Sequence, residues 1–419
     1  MKKLLLLALL LSAIDRRVAH AKESLIHAGD TVAVVGDSIT EQKQYSVLIE
    51  DYLLMCQPVD KLRIEQFGWG GETATGYAKR MQNDTLRFKP TLITTCFGMN
   101  DGGYAPLQKD RADAYRQSQQ QIVDMAKKAG VRTIVVGSPG CVDADKFRNR
   151  PEQATMYNKT LGELKEIAKE VAESNGVVFA DVYTPMVDVM TRMKEKYGKA
   201  YHLAGPDGVH PDANGHLVMA YAYLKALGCD GDIGSIDVDL GSNKATATGE
   251  HKVLSCADGK VEVESRRYPF CFHGEPDKTN ATTGVIEFLP FNDELNRFTL
   301  KVTNAPAEKY KLTWGETTKE FDREQLAKGI NLAAEFLKNP FSEPFHKVEN
   351  AIREQQNYET PLVKKLVTNV PEFKQLVPKE AADIEKVAAS AIERDQELFA
   401  SAEKSVTPVK HTLIIEAVK

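Results

Sequence analysis

An apolar run at residues 32–35 leads directly into Gly36-Asp37-Ser38-Ile39-Thr40 and then a stretch with helical spacing. A serine at a strand-to-helix junction is lifted above the carboxyl edge of a sheet. Its backbone N–H lies at the positive end of the helix dipole, and the nearby glycine allows a sharp turn. Far along the chain, Asp207-Gly208-Val209-His210-Pro211 places a carboxylate three residues before an imidazole on one short loop. A hydroxyl, a base near neutrality and a carboxylate that holds the base in one tautomer are the parts of nucleophilic acyl transfer. That chemistry also needs donors for a developing oxyanion. Gly68-Trp69-Gly70-Gly71-Glu72-Thr73 and Gly98-Met99-Asn100-Asp101 offer them as backbone N–H groups and a side-chain amide. Each piece alone has a plainer use. Gly-Asp-Ser serves as a helix cap, Asp207-Gly208 as a turn and His210-Pro211 as the approach to a helix starting near Ala213.

The elements that must position these pieces raise their joint significance. Strands are expected at 31–35, 62–67, 91–97, 133–137 and 177–181, with helices at 44–56, 111–128 and 153–174. Short apolar runs alternating with longer amphipathic stretches describe a parallel sheet joined by crossover helices, a three-layer α/β domain. The serine, the glycine-rich segment and the Asn100 segment each follow a predicted strand, and with the Asp207–His210 loop they are expected to converge on one rim.

This order and spacing resembles the four sequence blocks of the SGNH (GDSL-like) hydrolase superfamily, over about residues 29–228. The resemblance implies a flavodoxin-like fold with Ser38 as nucleophile, Asp207 and His210 as acid and base, and an oxyanion hole of Ser38, Gly71 and Asn100. Gly70 and Gly71 are adjacent, and the Gly-(Asp or Glu)-Thr pattern of the family favours Gly71. Asp37 and Asp101 are read as helix-capping or supporting residues. His216 is read as structural, and His202 as a surface residue, with the edge of the cleft as its alternative place. Trp69 and Tyr104 could each present a flat face to substrate or simply pack. The mechanism requires no metal and no organic cofactor.

Beyond the catalytic stretch the pattern changes. Residues 229–315 alternate as short strands, 322–405 turn helical with Ile384, Val387, Ala388, Ala391 and Ile392 on one expected apolar face, and 411–418 read as a returning strand. The expected organisation is therefore a signal peptide at 1–21, a catalytic domain at 22–228 and a β-rich module at 229–419 carrying a helical insertion at about 322–405. Lys2 and Lys3, an apolar run at 4–14 and Ala19-His20-Ala21 have the layout of a cleaved export signal, so a periplasmic or extracellular location is expected. The run is too short to span a bilayer, and no stable membrane span is expected elsewhere. With 54 Lys+Arg against 59 Asp+Glu, the chain lacks the basic surplus that would favour nucleic acid. The six cysteines show no metal-ligand spacing, and Cys256 and Cys271 flank a strand-like segment as a possible pair.

The leading expectation is a hydrolase acting through an acyl-enzyme on small esters, acetyl above all, of a small molecule or glycan. This draws on exported members of the resembled superfamily. The alternatives are a lipid esterase or thioesterase, an O-acetyltransferase, and a non-catalytic protein that binds through its C-terminal module. Oligomeric state is open.

Overall fold

The computed structural model describes residues 24–147 and 150–418; the expected export signal lies outside them. Strands β1 (Thr31–Gly36), β2 (Arg63–Gly68), β3 (Leu92–Cys96), β4 (Thr133–Gly137) and β5 (Val178–Ala180) form one sheet in the order β2-β1-β3-β4-β5, and every neighbouring pair is parallel. The connecting helices are α1 (Ser38–Glu41), α2 (Tyr45–Asp51), α3 (Ala74–Arg80), α4 (Lys109–Lys128), α5 (Pro151–Ser174), α6 (Tyr183–Tyr197) and α7 (Ala213–Ala226). A parallel sheet is covered on both faces, which favours continuous apolar runs such as β1; the edge strand β2 departs from this with Arg63, Glu65 and Gln66. In β1, Val32 and Val34 enter a core shared with α2, α6 and α7, while Ala33 and Val35 enter a second core shared with α3 and α4. The layered α/β expectation is met. The predicted helix at 44–56 is α2 followed by a wider π-helical turn, Tyr52–Cys56.

The β-rich part holds β6 (Asp232–Asp239), β7 (Lys244–Ala247), β8 (His251–Ala257), β9 (Lys260–Ser265), β10 (Arg297–Thr303), β11 (Lys309–Trp314), β12 (Thr317–Asp322), β13 (Ile330–Asn331) and β14 (Val409–Ala417). They make two sheets, β13-β10-β6-β7 and β12-β11-β14-β9-β8. The last strand, β14, returns between β9 and β11, as the alternation at 411–418 predicts. A buried chain of hydrogen bonds ties the two sheets together. Trp314 Nε1–H donates to His411 Nδ1 (3.1 Å), so His411 Nε2–H donates to Ser265 Oγ (2.9 Å), Ser265 donates to His251 Nδ1 (2.7 Å), and His251 Nε2–H reaches the Ile233 carbonyl (2.8 Å). Every donor finds an acceptor only with both imidazoles neutral and protonated on Nε2.

The helical excursion docks onto the parallel sheet. Helix Ser342–Pro361 lies along α2 and β2 and packs against helix Ala381–Ser405. An edge strand presents unpaired backbone groups that must be paired or covered. Here Gln355 Nε2 donates to the Ile64 carbonyl (3.0 Å) and the Gln66 N–H donates to Glu359 Oε2 (2.8 Å). Val387 is 58% exposed, against the expected apolar face, because Ala388 is the residue turned fully inward at that turn. The six cysteines are free: Cys256 sits half-buried on β8, while Cys271 is buried with its Sγ facing Asn339 Oδ1 at 3.9 Å. No helix among the described residues is long and apolar enough to cross a membrane.

This docking interface buries carboxyl groups from both sides: Glu50 of α2 and Glu65 of β2 meet Glu359 and Asp395 of the C-terminal helices, with Arg63 beside Glu65 and Asp395. Burial pushes Glu50 and Glu65 each up to about 8 and Asp395 up to about 7. Between about pH 4.5 and 8 the unfolded chain has released these protons while the folded chain keeps them. Stability therefore falls as pH rises through that window and levels off above it. Glu50 Oε2 accepts from Gln356 Nε2 (2.7 Å), and its Oε1 has no partner among the described residues. Glu50→Gln keeps the shape without the ionisation, so urea unfolding should show the variant more stable than the parent by about 2 kcal/mol at pH 9 and little different at pH 5.

Candidate active site

Ser38 opens α1 at the carboxyl end of β1. Asp37 caps this helix, its Oδ1 accepting the Ile39 N–H at 2.9 Å. Burial, reinforced by the nearby Asp101 charge, pushes the Asp37 carboxyl up to about 7. Asp101 is pushed by burial up to about 6 and accepts the N–H groups of Ala74 and Gly98, both at 2.9 Å, so it braces the start of α3 against the turn after β3. Both aspartates act below the rim, on the backbone.

The structure brings Ser38, His210 and Asp207 into one hydrogen-bonded line. Ser38 Oγ is 2.8 Å from His210 Nε2, and His210 Nδ1 is 2.7 Å from Asp207 Oδ2. The other Asp207 oxygen accepts the N–H groups of Val209 and His210, each at 2.9 Å. Burial opposes ionisation of Asp207, but these N–H bonds and the imidazole outweigh it and hold the carboxyl below its ordinary range. A carboxylate fixed on two N–H groups favours the Nδ1–H tautomer of His210, which leaves Nε2 free to accept the serine proton. The side chains of His210 and Asp207 are 34% and 48% exposed, so the line opens to solvent.

The loop owes its shape to a glycine outside the four blocks. Gly205 has φ +76°, and a Cβ there would come within 1.7 Å of the His210 carbonyl oxygen. The Gly205-Pro206-Asp207-Gly208 turn signature was legible in the sequence and marks this constraint.

The oxyanion-hole candidates lie on two neighbouring turns. In the Trp69–Glu72 turn the Gly70 N–H donates to Glu41 Oε2, whereas the Gly71 N–H has no acceptor among the described residues. Gly71 adopts φ +75°, a conformation glycine reaches without strain. Of the two adjacent glycines, Gly71 is the one with a donor to offer. Asn100 Nδ2 donates one proton to the Glu72 carbonyl at 3.0 Å, which ties the two turns together. The Tyr104 hydroxyl donates to Asn100 Oδ1 at 3.2 Å and fixes which way the amide faces. Asn100→Ala removes the second amide proton as a donor and should lower kcat for a small ester about 100- to 1000-fold with KM little changed, measured by steady-state kinetics.

The two candidate aromatic platforms are engaged in packing. Tyr104 stacks on Tyr157 with ring centroids 4.9 Å apart. The half-buried ring of Trp69 has the Arg80 guanidinium at 4.7 Å and the Lys364 ammonium at 4.9 Å. His216 is buried and structural, its Nδ1 accepting the Tyr45 N–H at 3.3 Å. His202 Nδ1 lies 3.4 Å from Asp212 Oδ2 with its side chain only 16% exposed, so it is not the surface residue expected. Glu41 and Lys364 were missed from the sequence, since neither falls in a motif.

A parallel sheet in flavodoxin-like order, with a serine, an imidazole and a carboxylate lined up at its carboxyl edge, defines a serine hydrolase. Residues 34–218 match the GDSL-like lipase/acylhydrolase family, so this domain is of the SGNH hydrolase type and makes the protein a carboxylic ester hydrolase. An acetylxylan esterase of Geobacillus stearothermophilus is 25% identical over 224 residues, which cover 48% of this chain and 96% of that protein. The solved structure of a gut microbial diltiazem-metabolizing enzyme, 24% identical, superposes with a TM-score of 0.72 over 94% of this chain and 98% of that one. The fold match therefore takes in the β-rich part and its helical excursion. An α/β hydrolase from the metagenome of Lake Arreo, Spain, is 26% identical over 49% of this chain and 99% of that one, with a TM-score of 0.40.

Proposed function

We propose that the protein removes acetyl groups from acetylated carbohydrate through an acyl-enzyme on Ser38. The observation that carries this reading is the hydrogen-bonded line Ser38–His210–Asp207; likeness to the acetylxylan esterase supports the acetyl and glycan parts. His210 takes the Ser38 proton as Oγ attacks the ester carbon, and the carbonyl oxygen becomes an oxyanion held by the N–H groups of Ser38 and Gly71 and the Asn100 amide. The imidazolium then protonates the departing sugar hydroxyl. Water, deprotonated by the same imidazole, attacks the acetyl-serine, releases acetate and returns the proton to Oγ. Trp69 and Tyr104 border this centre, as supports of its two turns. Export is part of the proposal, since the pattern at 1–21 would take the enzyme to where polysaccharide is met.

The test is a substrate panel: acetylated xylooligosaccharides alongside 4-nitrophenyl acetate, butyrate and palmitate, with acetate measured directly. Acetate release from the oligosaccharides with activity falling as the acyl chain lengthens is expected. Rapid cleavage of the palmitate ester with no acetate from the glycans would overturn the carbohydrate reading.

A further inference from the structure

The helical excursion reaches the turns of the active site through Lys364. After helix Ser342–Pro361 the chain makes a π-helical turn, Leu362–Leu366, and from it Lys364 extends to within 2.6 Å of Glu41 Oε1. Glu41 ends the short helix that Ser38 begins, and its other oxygen, Oε2, accepts the Gly70 N–H. The Lys364 ammonium also lies 4.9 Å from the centre of the Trp69 ring, at the first residue of the same turn. One lysine, 323 positions from its carboxylate partner in the chain, thus touches both ends of the contact between the serine helix and the turn that carries Gly71.

The turn is held at further points. The Glu72 N–H donates to the Trp69 carbonyl at 3.1 Å, the Glu72 carbonyl accepts from Asn100, and Arg80 bridges the Trp69 ring and the Glu72 carboxylate, the latter at 2.7 Å. A Cβ on Gly70 would come 2.9 Å from Glu41 Oε2, so the carboxylate is seated close against the backbone. What these contacts leave unbonded is the Gly71 N–H. A donor of this kind stabilises an oxyanion in proportion to how well its position is set before the charge develops.

We propose that Lys364 is a positioning residue of the esterase site: by pairing with Glu41 and lying over Trp69, it fixes the Gly70–Gly71 turn so that the Gly71 N–H is aimed at the oxyanion. The inference rests on the acyl-enzyme reading of Ser38. It makes the C-terminal excursion a working part of the active site. The ion pair is about a quarter exposed on each side, and pairs of that kind contribute little to global stability. Its consequence is expected in rate.

The experiment is a double-mutant cycle on the full chain, Lys364→Met and Glu41→Gln singly and together, with 4-nitrophenyl acetate as substrate. Alongside it, inhibition by an alkyl boronic acid reports on the hole, because its tetrahedral serine adduct places an anionic oxygen there. Lys364→Met should lower kcat about 10-fold with KM within about twofold and weaken the boronate by the same factor, since both measure the same donor. The melting temperature should be nearly unchanged. Glu41→Gln should do likewise, the double variant should be no worse than the poorer single one, and Lys364→Arg should recover most of the rate. Wild-type kcat in Lys364→Met, additive losses in the cycle, or equal losses in Lys364→Arg and Lys364→Met would each overturn the proposal. Activity retained by Ser38→Ala would instead overturn the reading on which it rests, so the two failures are distinguishable.

Discussion

Ser38→Ala should lower kcat for 4-nitrophenyl acetate by about 10⁴-fold or more while leaving the melting temperature within a few degrees of the parent. The size follows from what the hydroxyl does. Its oxygen forms the covalent bond, and 2.8 Å away His210 Nε2 is placed to take its proton. With the oxygen gone, the remaining donors and binding contacts can assist only direct attack by water. Little stability is at stake, because the α1 cap is made by the Asp37 side chain and does not involve Oγ. A stoichiometric burst of 4-nitrophenol, present in the parent and absent from the variant, ties the effect to the acyl-enzyme. A variant that retained a burst would show that another nucleophile carries the reaction.

How much of this was readable beforehand differs between the two halves of the chain. The parallel strands were legible where burial on both faces makes a short apolar run, as in β1, where Val32, Ala33, Val34 and Val35 divide between two cores without any polar interruption; the edge strand β2, with Arg63, Glu65 and Gln66, carries that signal least. The serine, glycine-rich and Asn100 segments were legible because each follows a strand end, where turn chemistry needs glycine, aspartate or asparagine, and the Asp207–His210 loop, between two helices, because it pairs a carboxylate with an imidazole three residues on. The fine geometry was not. That the Gly70 N–H is taken by Glu41 depends on a side chain 29 residues away, and no local pattern reports such a bond.

In the excursion the sequence shows helices but not what they cover. Helix Ser342–Pro361 meets β2 through Gln355 and Glu359, polar residues that ordinary patterning assigns to solvent. The buried carboxyl groups at that interface violate the rule that charge stays outside, so periodicity alone could not foretell the docking. Val387 is the converse case. It falls on the apolar stripe of its helix and yet faces outward, because Asp395 and Ala388 occupy the inward positions. Lys364 was unreadable for the same reason as Glu359: its partner belongs to a different layer of the fold.

Asp207→Asn offers the sharpest test of how the base is prepared, with an expected loss in kcat of about 10³- to 10⁴-fold despite a change of a single atom. In the parent, one carboxylate oxygen accepts two backbone N–H groups and the other accepts from His210 Nδ1. An asparagine has only one oxygen. Two converging N–H donors require an acceptor, so that oxygen stays with Val209 and His210 and the amide NH₂ is turned toward the imidazole. Nδ1 must then accept, the ring proton moves to Nε2, and the atom facing Ser38 Oγ becomes a donor that cannot take the serine proton. Nitrogen chemical shifts of the His210 ring measure this directly: the parent should show the Nδ1–H form and the variant the Nε2–H form, with the rate loss accompanying the change. A variant that lost its rate while His210 stayed protonated on Nδ1 would assign the role of Asp207 to the charge it places beside the imidazolium.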